Sequence, residues 1–99
     1  MTAVTGTFTA TGQSATFVAP SALSGEFNVS LSGTWVGTVK LERSFDNAST
    51  WIVVSKPDLT DASFTANASF SVKEPEPGVR YRLNCTAYTS GTVTYRLGH

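Results

Sequence analysis

The chain has 99 residues, enough for one domain with its own buried core. Its 7 basic and 7 acidic residues cancel, so neither a nucleic-acid surface nor an acidic membrane surface is expected. A single cysteine, Cys85, excludes an internal disulfide, and no apolar run approaches the roughly 20 residues of a membrane-spanning helix.

From the first residues onward the apolar positions follow a period of two. The opening quarter is neutral and threonine-rich, with Thr11-Gly12 between residues 3–9 and 14–18, and the first charged side chain is Glu26. Over residues 1–25 the large apolar side chains are few: Val4, Phe8, Phe17, Val18 and Leu23. Ordering such a segment costs backbone entropy that so few apolar groups hardly offset. Residues 1–25 are therefore expected to form an N-terminal arm or edge strands, with Val4, Phe8, Phe17 and Val18 as the candidate interface to another subunit.

Further on, Phe27, Val29 and Leu31 alternate with Asn28, Ser30 and Ser32. Ser32-Gly33 then leads into a second run, in which Val39 and Leu41 alternate with Thr38, Lys40 and Glu42. Residues 51–55 follow a turn at 46–49. Phe64, Ala66, Ala68, Phe70 and Val72 alternate with polar residues up to Lys73, where Pro75-Glu76-Pro77-Gly78 breaks the run. Val79, Tyr81, Leu83, Cys85 and Ala87 form the next apolar face, and after Ser90-Gly91 come Val93, Tyr95 and Leu97. Each run offers one apolar and one polar face, as antiparallel sheets require.

Connections this short predict hairpins. The longer stretches 19–25 and 56–63 are the expected places where the chain changes sheet. The fold expected is all-β: a single antiparallel β-sandwich of about eight short strands over residues 1–99, jelly-roll-like or immunoglobulin-like. The buried set should comprise Phe27, Val29, Leu31, Val39, Leu41, Phe64, Phe70, Val72, Tyr81, Leu83, Val93 and Leu97.

Chemistry-bearing groups are sparse. Ser44-Phe45-Asp46-Asn47-Ala48-Ser49-Thr50-Trp51 resembles the Asp-box, a Ser-x-Asp-x-Gly-x-Thr-Trp hairpin of sialidases and many virion proteins. Ser44, Asp46, Thr50 and Trp51 occupy its defining positions. An aspartate in such a turn accepts backbone N–H groups, and the tryptophan is expected to pack inward beneath it. The resemblance implies a structural turn. Ala48 stands where the motif has glycine, so a left-handed backbone there would be strained.

His99 is the sole histidine, so no histidine-based triad or metal cluster is expected. Asp58, Asp61, Glu74 and Glu76 match no calcium-loop spacing and read as solvated turn carboxylates. Cys85 shares the core phase of Leu83 and Ala87, where a thiol is inert. All four asparagines begin an Asn-x-Ser/Thr triplet. Residues two apart share a strand face, so these triplets are by-products of alternation. Trp35 and Tyr95 carry core phase, and Tyr88 falls on a predicted outer face. No catalytic residue, cofactor or metal is expected.

Several segments together resemble a group of small proteins of tailed bacteriophages. They are residues 7–15, 27–34, 41–46 and 74–83, and the ending Thr89-Ser90-Gly91-Thr92-Val93-Thr94-Tyr95-Arg96-Leu97. The resemblance implies a non-enzymatic virion protein, foremost a capsid decoration (cement) protein on the outer head surface. Its partners would be the major capsid protein or other virion proteins, with neither nucleic acid nor membrane engaged. The class implies a homo-oligomer, foremost a trimer. The alternatives are a tail or neck accessory, a fibre module, or a carbohydrate-binding module for host attachment. No charged start leads into an apolar run, so synthesis in a cytoplasm is expected, and the resemblance implies a bacterial host and residence in the virion.

Overall fold

The computed structural model of the protein describes residues 3–19, 26–55, 62–74 and 78–98. Residues 20–25, Asp58, Asp61, Glu76 and His99, all considered above, lie outside them. The strands are β1 (Ala3–Phe8), β2 (Gly12–Gln13), β3 (Phe17–Val18), β4 (Glu26–Ser32) and β5 (Trp35–Ser44). They continue as β6 (Ile52–Val53), β7 (Ser63–Phe64), β8 (Ala68–Lys73), β9 (Arg80–Gly91) and β10 (Val93–Gly98). All pairings are antiparallel. One sheet runs β1-β10-β4-β8. The other runs β2-β9-β5-β6, with β3 also on β9 and β7 also on β5.

Because β2 and β3 share one neighbour, as do β6 and β7, each pair is one interrupted strand. Eight strands then remain, and first pairs with last, second with seventh, third with sixth, fourth with fifth. That nesting is a chain folded once as a long hairpin and rolled into two layers, the jelly-roll order. Of the two sandwich topologies expected, this is the one formed.

The connection from β5 to β6 is a hairpin, but two of the shortest connections are not. β4 and β5 are separated by Gly33 and Thr34 yet lie in different sheets, as do β9 and β10 around Thr92. These turn residues mark corners. Gly33 (φ 100°) and Gly91 (φ 89°) supply the left-handed backbone that the corners need. A Cβ on Gly91 would stand 2.2 Å from the Thr34 carbonyl oxygen. The Thr92 N–H donates to that carbonyl at 3.0 Å and ties the corners together. Asn67 braces them by accepting from Trp35 Nε1 at 2.7 Å and donating to the Gly33 carbonyl at 2.9 Å.

Residues 56–63 were expected to carry the chain across, but β6 and β7 flank that stretch in the same sheet. The crossing comes at 65–67, so the predicted run 64–73 is divided between the sheets.

The core forms where the two inward faces meet. Phe27, Val29, Leu31, Val39, Leu41, Tyr81, Leu83, Val93 and Leu97 are all buried, joined by Phe8, Phe17, Val79, Cys85 and Tyr95. Phe27 links the layers, its ring 5.0 Å from Phe17 and 4.7 Å from Tyr81. Phe64, Phe70 and Val72 are only half-buried. They sit where the sheets part, between edge strand β8 and the interrupted strand β6/β7. Tyr88 corrects the expectation in the opposite sense and packs against the core. Val39 faces Cys85 while Thr38 faces Ala87, so Thr86 is an extra residue in β9. This bulge shifts the alternation by one and turns Tyr88 inward.

Candidate functional site

The hairpin between β5 and β6 is built by two side chains joined by a hydrogen bond. The Ser44 hydroxyl donates to Asp46 Oδ1 at 2.7 Å and accepts from the Ala48 N–H at 3.0 Å. Asp46 Oδ1 accepts the Thr50 N–H at 2.8 Å. Ser44 is 1% exposed although it lies on a polar strand phase, because the turn closes over it. The Ser44 hydroxyl, followed by the Thr50 backbone and side chain, holds the Asp46 carboxyl down at about 2. Asn47 (φ 59°) and Ala48 (φ 69°) are both left-handed. Asparagine tolerates this, whereas alanine is strained by its Cβ.

Trp51 does not pack inward. It lies half-buried at the strand's outer side, with the Arg82 guanidinium 4.3 Å above its ring. Arg82 alternates with core residues Tyr81 and Leu83, so its side chain leaves the outer face of the sheet. Arg82 Nε donates to Glu42 Oε1 at 2.7 Å, and Asn84 Nδ2 donates to Glu42 Oε2 at 3.1 Å. Gln13 Nε2 then donates to Asn84 Oδ1 at 3.1 Å. A polar ribbon thus runs from Trp51 through β5 and β9 to β2, and it leaves Glu42 only 8% exposed.

A second polar group borders the cleft at the open side of the sandwich, through Arg43 and Tyr81. The cleft has a volume of about 740 Å³ and is lined by Leu41, Val54, Ala62, Phe64, Phe70 and Val72, with Arg43, Lys73 and Tyr81 also on its wall. Phe64 and Phe70 stack there at 5.1 Å. Glu74, 4% exposed, accepts the Tyr81 hydroxyl at 2.8 Å and Arg43 Nη1 at 3.4 Å. Burial first, and the Glu74 carboxylate second, push the Tyr81 phenol up to about 12. Glu74 is therefore no solvated turn carboxylate: its side chain is buried and held by a phenol and a guanidinium. Burial likewise raises the Cys85 thiol, which matches an inert core cysteine.

The four candidate interface residues separate. Phe8 and Phe17 are 6% and 1% exposed and belong to this chain's own core, so neither can meet a partner. Val4 is half-buried against that core, and Val18 is 44% exposed. In the described part of residues 1–25 two aromatic rings reach the core, Phe8 against Tyr95 and Phe17 against Phe27. The alternation pattern assigns Glu42 and Arg82 only to polar strand faces, and the turn composition makes Glu74 a solvated carboxylate. The one available signal was two acidic residues lying beside apolar runs with a basic residue in the facing strand.

Among the described residues no three histidine, cysteine or acidic side chains converge as metal ligands. No protein-family model matches the chain, and neither curated proteins nor solved structures give a match.

The outer face of the four-stranded sheet is polar. The pairing registers align Thr7, Thr94 and Ser32 in one cross-strand row, and Thr5, Arg96, Ser30 and Ser69 in the next. Ala3, Gly98, Asn28 and Ser71 form a third row. Arg96 is tied to Asn28 Oδ1 at 2.5 Å, and Ser30 and Ser69 share a hydrogen bond at 3.1 Å.

Proposed function

We propose that this protein is a non-enzymatic structural subunit of a tailed-phage particle, a decoration protein that binds the outer head surface through the polar face of its four-stranded sheet. The observation that carries this reading is the composition of that face. Short hydroxyl and amide side chains lose little rotamer freedom when covered, so a broad sheet of them docks at low entropic cost. Arg96 is held against the face by the neutral Asn28 amide and keeps its charge, so a facing protein meets hydroxyl and amide groups around a single guanidinium in those rows. The braced carboxylates support the same reading. Glu42 is bound by Arg82 and Asn84, and Glu74 by Tyr81 and Arg43, so these carboxylates brace the scaffold. The jelly roll itself hosts many functions and adds no weight of its own.

Quantitative mass spectrometry of purified particles, from cells that carry the coding sequence, tests the proposal. The protein should be present at a fixed ratio to the major capsid protein. Absence from particles, or a ratio that varies between preparations, would overturn it.

A further inference from the structure

We propose that the free edge of β1 is a self-association surface, on which β1 of a second copy pairs antiparallel about a two-fold axis. The four sheet edges differ in how well they resist such pairing. On the larger sheet, one edge is broken into β2 and β3 and the other into β6 and β7, each fragment only 2 residues long. Fragments this short cannot template a partner strand. On the four-stranded sheet, β8 ends in Lys73 and borders the open cleft.

β1 has none of these safeguards. Its 6 residues, Ala-Val-Thr-Gly-Thr-Phe, include no charge and no proline. Its register against β10 runs without a bulge from Ala3↔Gly98 to Phe8↔Val93. Among the described residues no strand lies on its other side, so every second residue directs its N–H and C=O outward.

The edge is also held rigid. Phe8 packs on Tyr95 with ring centroids 4.8 Å apart. Gly6 lies directly over the Tyr95 hydroxyl, which would stand 2.5 Å from any Cβ placed there. A strand fixed from below loses little freedom when it gains a neighbour.

A second copy is the occupant that this edge suits. Antiparallel pairing about a two-fold sets residues of the same face opposite each other, so Thr5 meets Thr5 or Thr7 of the other copy. Threonine pairs are favourable across strands, and no like charges are opposed. The result doubles the four-stranded sheet and joins the two hydroxyl faces into one surface. The inference stands on the edge alone, whether or not the protein belongs to a phage head.

Sedimentation equilibrium of the intact chain, from low to high micromolar concentration, tests it. The wild type should show a monomer–dimer equilibrium. Thr5→Lys with Thr7→Lys sets ammonium groups opposite one another and should raise the dimer dissociation constant about tenfold or more. Ser69→Lys, on β8, should leave the constant unchanged. Hydrogen exchange of wild-type β1 amides should slow as concentration rises, which reads the contact even if the lysine variant fails to fold. A monomer at every concentration, a three-fold species, concentration-independent β1 exchange, or dissociation caused by Ser69→Lys would each overturn the proposal.

Discussion

Ser44 and Asp46 form one hydrogen-bonded unit, hydroxyl to carboxylate at 2.7 Å, and between them they take the backbone N–H groups of Ala48 and Thr50. The turn is thus held by side chains, at the point where a long central strand must reverse into a two-residue partner. Asp46→Ala should lower the denaturation midpoint slightly, and by less than a core truncation, because the site is at the surface.

The same carboxyl gives a pH dependence of defined sign. Its folded value, about 2, lies below its ordinary value of 3.8. The stabilisation is therefore complete above about pH 4 and is lost as pH falls toward 2. Thermal midpoints of the wild type and Asp46→Asn should converge across that window and separate above it. Parallel curves would show that the carboxylate does not hold the turn.

Ala48 occupies a left-handed conformation (φ 69°) that glycine adopts freely. Ala48→Gly relieves roughly 1–2 kcal/mol of steric cost and returns part of it as unfolded-state entropy. A net gain of about 0.5–1 kcal/mol is expected by urea denaturation.

Leu83 is fully buried opposite Leu41 in the centre of the larger sheet. Leu83→Ala should cost about 2–5 kcal/mol through the cavity it leaves. An unchanged denaturation midpoint would place the core elsewhere.

Tyr81 should ionise late, near pH 12, because it is buried and bonded to Glu74. A folded value above the ordinary 10 means that its contribution is complete below pH 10 and fades as pH rises through 12. Absorbance titration should show a phenolate step near pH 12 that Tyr81→Phe removes.

Much of this fold was legible in the sequence, because strict alternation assigns faces without reference to any partner. Val29, Leu41, Leu83 and Leu97 declared their burial that way. Tyr88 did not, since one extra residue, Thr86, reverses the phase and nothing local signals a bulge. Ser32-Gly33 and Ser90-Gly91 were legible as turns, but their role as corners between sheets depends on which strands pair at long range. The Ser44–Asp46 turn was visible as a motif. Trp51 was misplaced because Arg82, 31 positions away in sequence, offers its ring an outer surface. Glu74 sits next to a proline-rich turn, and only the approach of Tyr81 and Arg43 explains its burial.

The proposed function requires that the polar face of the four-stranded sheet dock onto a phage head. The most direct measurement titrates purified protein onto heads stripped of it, comparing the wild type with Ser30→Glu/Ser69→Glu, whose two carboxylates stand opposite each other on adjacent strands of that face. Circular dichroism first establishes that the variant is folded. The wild type should bind saturably at a fixed ratio to capsid protein, and the folded variant should fail to saturate the heads. Equal binding by both proteins would contradict the account.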